Sequence, residues 1–200
     1  MIKAIIFDVG GVLHTNESYY INQHIEKRLG VKLTKFKNQY KKLIDTLEEG
    51  IINEIHFGKK LIRFTKSKLK ASKKSLFTQE YIKRYKKNYN VLKIVNKLRQ
   101  KNYKLAILSN SIESLVRVNY KMGIYKDFKI KVFSHQVGII KPDPKIYKLT
   151  LKKLQLEPKE TVFIDDKIEN VIAAKKLGMN SLLFKNALKL QKDLIKLKVL

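Results

Sequence analysis

The sequence predicts an α/β protein: a doubly wound, Rossmann-like parallel sheet with a smaller helical unit inserted near its start. Three observations carry this. From residue 91 onward, short apolar runs alternate with helical patterns of ten or so residues, which means right-handed crossovers between parallel strands. The run at residues 2–7 is apolar on both faces, as a central strand of such a sheet must be. Residues 15–90 break the alternation and show amphipathic stretches without a convincing strand. The expected division is therefore 1–14 and 91–200 for the sheet-bearing core, with 15–90 as a helical cap.

Taken in order, the first strand ends abruptly at Asp8 and is followed by "VGGVLHT". The inserted segment then holds "INQHIEKRLG", "FKNQYKKLIDTLEEG", "IHFGKKLIRFTKSKLK" and "QEYIKRYKKNY", each with helical spacing of apolar residues. Within it, "KSKLKASKKS" reads as a basic, solvated stretch. In "VLKIVNKLRQKN", Val91, Ile94, Val95 and Leu98 share one helical face, and "KLAILSN" follows as a short buried strand. A helix over "ESLVRVNYKMG" closes at Gly123, and "KIKVFS" is the next strand. The following helix begins with Asp143 as N-cap and Pro144 in its first position, the two residue types that suit those places. "TVFIDD" is a strand, "IENVIAAKKLG" a helix stopped by Gly178, "NSLLF" a last strand, and a C-terminal helix completes the chain.

Composition excludes several classes. At 44% hydrophobic and 30% charged residues, the chain is globular rather than disordered. Having no cysteine, it has neither a disulfide framework nor a thiolate metal site. The first apolar run is cut at Asp8, too early for a signal peptide, and nothing approaches the roughly 18 apolar residues of a membrane span. A cytoplasmic protein without membrane contact is expected. The net charge of +27 invites a nucleic-acid reading, but the charge is not concentrated: residues 16–90 carry 19 basic and 7 acidic side chains, in proportion to the rest. Only 5 of the 44 basic residues are Arg, the usual choice for specific phosphate and base contacts. No specific nucleic-acid partner is expected, and attraction to polyanions should fade as salt rises.

In open parallel sheets, ligands bind beyond the carboxyl ends of the strands. Asp8 ends the first strand, Ser109 and Asn110 end "KLAIL", Asp165 and Asp166 end "TVFI", and Lys141 lies in "GIIKPDP" just before a helix. Singly, each has an ordinary structural explanation: a cap, a turn, a solvent-facing lysine. The adjacent acids after a fully apolar strand are harder to explain that way, because two carboxylates at a buried edge repel unless a cation joins them.

Together these residues resemble the haloacid dehalogenase (HAD) superfamily, and within it the phosphatases with a helical cap inserted after the first motif. "IIFDVGGVL", "AILSNS", Lys141 in "GIIKPDPKIY" and "VFIDDKIEN" look like its four motifs in order, and "LEEGIINEIHF" resembles the helix–Gly–helix segment of its caps. The resemblance is to the branch holding sugar-phosphate phosphatases and the N-terminal phosphatase domain of soluble epoxide hydrolase. It implies a magnesium-dependent phosphatase acting on a small phosphorylated metabolite, as a monomer or weak dimer. Asp8 would be the nucleophile, forming an aspartyl phosphate. Asp8, the backbone carbonyl of Gly10 and Asp166 would hold Mg²⁺. Asp165 and Asn170 would hold metal-bound water or position Lys141. Ser109, the backbone N–H of Asn110, and Lys141 would bind phosphoryl oxygens, with Lys141 offsetting the charge of Asp8 and phosphate.

One departure stands out. Most phosphatases of this superfamily have a second Asp two residues after the nucleophile to protonate the leaving group, and here that position is Gly10, a variation some sugar-phosphatase relatives share. His14 is either a replacement proton source, its ordinary pKa being near neutrality, or simply a residue of the turn after the first strand. Two rival readings follow: a metal-independent dehalogenase-type hydrolase, whose members also lack the second Asp, and a catalytically impaired binding protein. Asp165–Asp166 argues against the first, and retention of Asp8, Ser109, Lys141 and Asp166 together against the second.

Overall fold

The computed structural model describes residues 1–15, 18–70 and 75–200. Its centre is a five-stranded parallel sheet of β1 (Ala4–Phe7), β2 (Lys104–Ser109), β3 (Ile130–Phe133), β4 (Thr161–Asp165) and β5 (Asn180–Leu183), in the order β3-β2-β1-β4-β5. β1 lies in the middle, with Ala4 paired to Lys104 on one side and to Thr161 on the other. All four of its residues are completely buried. Ile5 and Phe7 join Ile107, Val162 and Ile164 on one face, under α5 (Tyr89–Gln100) and α10 (Ala187–Lys196). Ala4 and Ile6 join Leu108 and Phe163 on the other, under α8 (Pro144–Leu154) and α9 (Ile168–Lys176). Each buried Ile, Leu, Val or Phe side chain contributes roughly 1.5–3 kcal/mol of transfer free energy, which is why an apolar run on both faces selects the central position.

The helix starts follow local chemistry. Asp143 accepts from the Lys145 N–H at 2.8 Å with Pro144 beside it, as the sequence predicts. Asn88 and Asn186 cap α5 and α10 in the same way. α6 (Glu113–Lys121) and the single turn α7 (Ser134–Val137) lie on either side of β3 in the chain. That turn, and a 3₁₀ turn at Leu33–Phe36, are too short to show a period in the sequence. β1 begins at Ala4 rather than at residue 2, although the Lys3 N–H still bonds the Glu160 carbonyl at 2.7 Å.

Between β1 and α5 come α1 (Ser18–Leu29), α2 (Lys37–Glu48), α3 (Glu54–Thr65) and α4 (Thr78–Arg84). Positions 71–74 of the basic stretch lie outside the described residues. The apolar faces of the four helices meet in a cluster that includes Ile25, Leu43, Leu47, Phe57, Leu61 and Phe77, and Ile112 and Val118 of the core close it from below. The chain enters and leaves this unit side by side: the Thr15 N–H bonds the Lys86 carbonyl at 3.0 Å, and the Asn88 N–H bonds the Leu13 carbonyl at 2.9 Å. Among the described residues, no helix is long and apolar enough to cross a membrane.

Candidate active site

The parallel register brings the ends of β1, β2 and β4 level, so Asp8, Ser109 and Asp165 emerge at one edge. Lys141 reaches in from the loop before α8 and is buried. Its ammonium donates to Asp8 Oδ1 at 2.8 Å, to Asp165 Oδ2 at 2.6 Å and to the Leu108 carbonyl at 3.0 Å. All three of its protons are thus committed. Burial would depress the Lys141 pKa, but Asp8 and Asp165 overcome this and hold it above the ordinary lysine value. Burial pushes Asp8 up to about 6, against the pull of Lys141. At neutral pH the two form a carboxylate–ammonium pair.

Asp165 has no oxygen left for other duties. Oδ1 accepts from the Lys167 N–H at 2.8 Å, and the Asn170 amide reaches both Oδ1 and Oδ2, at 3.1 and 3.0 Å. It holds Lys141 in place. Carboxylate oxygens of Asp8, Asp165 and Asp166 all lie within 4.8 Å of one another. With Asp165 committed to Lys141, the Asp8 and Asp166 oxygens are the hard ligands that suit Mg²⁺ by charge and type. Gly11 makes the close approach possible. Its φ is +81°, and a Cβ there would sit 2.2 Å from Asp166 Oδ2. Gly10 is different: a Cβ would meet nothing nearer than His14 Cε1 at 3.9 Å.

Ser109 is buried at the end of β2, its hydroxyl 3.3 Å from the Asn110 carbonyl. The Asn110 side chain has a task the sequence did not suggest. Its Nδ2 donates to the Lys141 carbonyl at 3.0 Å, and its Oδ1 accepts from the Lys141 N–H at 2.7 Å, clamping the lysine's backbone. His14 is buried, with Nδ1 2.6 Å from the Thr15 carbonyl and Nε2 2.8 Å from the Tyr81 hydroxyl. Burial lowers its pKa to about 4. Both ring nitrogens are occupied, Nδ1 by a backbone carbonyl and Nε2 by a hydroxyl that itself donates to Asn119 Oδ1 at 2.9 Å, and the reading of His14 as a proton source finds no support in this geometry. The turn residue is what the structure shows, tied to α4 through Tyr81.

Above the strand ends lies a cavity of about 1220 Å³, floored by Gly10, Ser109 and Lys141 and walled by residues of the inserted helices, Tyr40, Leu47 and Glu48 among them. Of these wall residues, Leu47 and Glu48 fall in the helix–Gly–helix pattern read in the sequence, and no sequence signal pointed to Tyr40.

The fold is Rossmann-like, and at one edge of its parallel sheet it gathers three acids, a lysine and a serine. The chain belongs to the haloacid dehalogenase-like hydrolase family, whose model matches residues 2–178. It is 29% identical over 185 residues to the phosphorylated carbohydrates phosphatase of Thermotoga maritima, covering 89% of this chain and 82% of that one. It is also 28% identical over 190 residues to mouse acyl-CoA dehydrogenase family member 10, covering 90% of this chain but only 18% of that longer protein. Among solved structures, the magnesium complex of a HAD family enzyme from Bacteroides thetaiotaomicron superposes with a TM-score of 0.75, at 22% identity and with 92% and 94% of the two chains covered.

Proposed function

We propose that this hydrolase is a Mg²⁺-dependent phosphatase of small phosphate monoesters, sugar phosphates or similar, working through an aspartyl phosphate on Asp8. The observation that carries the reading is the buried Lys141 bridging Asp8 and Asp165, with the Asp166 carboxylate alongside. The similarity to a phosphorylated carbohydrates phosphatase points the same way. Asp8 and Asp166, with the Gly10 carbonyl, would hold the magnesium, which supplies charge neutralisation for a phosphoryl group approaching a carboxylate. Asp165 serves as the anchor of Lys141 rather than as a ligand.

The chain's own residues then divide the work. Asp8, ionised and held by Lys141 through Oδ1, attacks phosphorus, and the P–O bond to the leaving group breaks. Ser109 and the Asn110 N–H receive phosphoryl oxygens. Lys141 offsets the negative charge that gathers between Asp8 and phosphate, in a buried setting where such offsets are worth more than in water. The helices from the insertion serve as a cap that keeps bulk water out and selects the substrate. A metal-independent dehalogenase would have no use for the Asp166 carboxylate beside Asp8.

Asp8→Asn tests this directly. Hydrolysis of every phosphate monoester should be lost with the melting temperature preserved, and excess EDTA should abolish wild-type turnover until Mg²⁺ is restored. Full activity in either case would sink the assignment.

A further inference from the structure

We infer that Glu48, on the last turn of α2, is the acid that protonates the leaving group and the base that activates water in the second step. This rests on the phosphatase reading above, and it supplies the function for which Gly10 has no side chain.

Glu48 lines the same cavity as Gly10, Ser109 and Lys141. Its place over the strand ends is fixed by two independent contacts between the insertion and the core. The fully buried Ser134 hydroxyl, at the end of β3, donates to the Glu48 carbonyl at 2.6 Å and accepts from the Ser111 N–H at 2.9 Å. Two residues on, Gly50 lies so close to the core that a Cβ would sit 2.2 Å from the His135 carbonyl oxygen. A partly exposed glutamate on a helix would ordinarily be loosely placed; this one is docked by its own backbone.

Its surroundings suit a carboxyl that gives and takes a proton. The groups facing it are Lys167 at the N-cap of α9, Asp45 and Lys41 on α2, and Lys141. Burial and Asp45 favour the neutral form, the three lysines oppose it, and the balance lies above the usual glutamate value. Two other acids of the cavity wall are engaged, and Glu169 stands exposed on the first turn of α9. Glu26 accepts from the Leu33 N–H at 2.8 Å and pairs with Lys32 at 3.2 Å, and Asp45 is held by Lys41 at 2.5 Å. His14 has both ring nitrogens bonded.

The proton balance is simple. As Asp8 attacks and the ester P–O bond breaks, the leaving oxygen takes the Glu48 proton and departs as an alcohol. Glu48, now a carboxylate, takes a proton from the water that attacks the aspartyl phosphate. Phosphate leaves, the electron pair of the broken bond returns to Asp8, and Glu48 is protonated again.

The experiment compares kcat/KM, which reports the first phosphoryl transfer, for glycerol 1-phosphate and 4-nitrophenyl phosphate. The former has a poor leaving group that needs a proton; the latter departs without one. Glu48→Gln should lower the glycerol phosphate value by about 10²–10⁴-fold and the nitrophenyl value at least tenfold less. It should also remove the fall in glycerol phosphate kcat/KM that the wild type shows as Glu48 ionises at rising pH. Glu48→Asp, which keeps the carboxyl, should fall between. Equal losses on the two substrates, or an unchanged value for glycerol phosphate, would overturn the inference. Asp8→Asn loses both substrates together, so a failure of the underlying phosphatase reading shows there and not in the ratio.

Discussion

Gly10 and Gly11 are neighbours with opposite constraints. At Gly11 a side chain meets both a left-handed backbone and the Asp166 carboxylate. Gly11→Ala should cost about 1–2 kcal/mol from the backbone alone, lower the melting temperature by several degrees, and weaken Mg²⁺ binding in a calorimetric titration because Asp166 must move. A melting temperature and affinity equal to the wild type would show that the contact yields freely. Gly10 has ordinary backbone geometry and open space. Gly10→Asp should fold normally and raise kcat/KM on alkyl phosphates more than on aryl ones, by placing a second acid at the site; equal changes on both would mean that the position does not address the leaving group. The identities of Asp8, Lys141 and Asp165 were legible in the sequence through their combination at predicted strand ends, since each alone has an ordinary explanation. The fate of each hydrogen bond was not. That Asn110 clamps the Lys141 backbone, or that Tyr81 takes the second nitrogen of His14, depends on pairs distant in sequence, and no spacing rule links them.

The turn between α2 and α3 is one element through which the insertion bears against the core. Gly50 has φ +72°, and the atom a Cβ would strike there is backbone, which cannot swing aside. Gly50→Ala should push the end of α2 off the Ser134 hydroxyl and carry Glu48 with it. Alkyl phosphate turnover should then fall in the selective pattern expected of Glu48→Gln, while circular dichroism still shows a folded sheet; a uniform loss on all substrates would point instead to general collapse of the site. The helices themselves were readable wherever an apolar stripe ran for three turns, as in α2, α3 and α5, since burying that stripe is what stabilises them. α7 escaped notice for the opposite reason: at four residues it has no stripe, and the bond from its Ser134 to Glu48 joins residues far apart in sequence.

Across the molecule, two apolar cores flank the sheet and a third belongs to the helices inserted after β1, with the cavity between that third core and the strand ends. Closure around substrate should therefore be readable as a change in how one part of the chain resists cleavage. Residues 16–90 offer 19 Lys and Arg side chains to trypsin, and cleavage within them should slow when Mg²⁺ and orthovanadate are both present, more than with either alone. An unchanged digestion pattern would count against a moving cap. The register of the central strand has a further consequence, for synthesis. Ala4 finds its neighbours only at Lys104 and Thr161, so the strand that presents Asp8 leaves the ribosome first and is flanked last. At ordinary elongation rates of about 5–20 residues per second, on the order of ten seconds separate Asp8 from the carboxylates that complete its surroundings. During that interval, Asp8 is an ordinary aspartate on an unpartnered segment, and a chain interrupted before residue 161 cannot assemble the site.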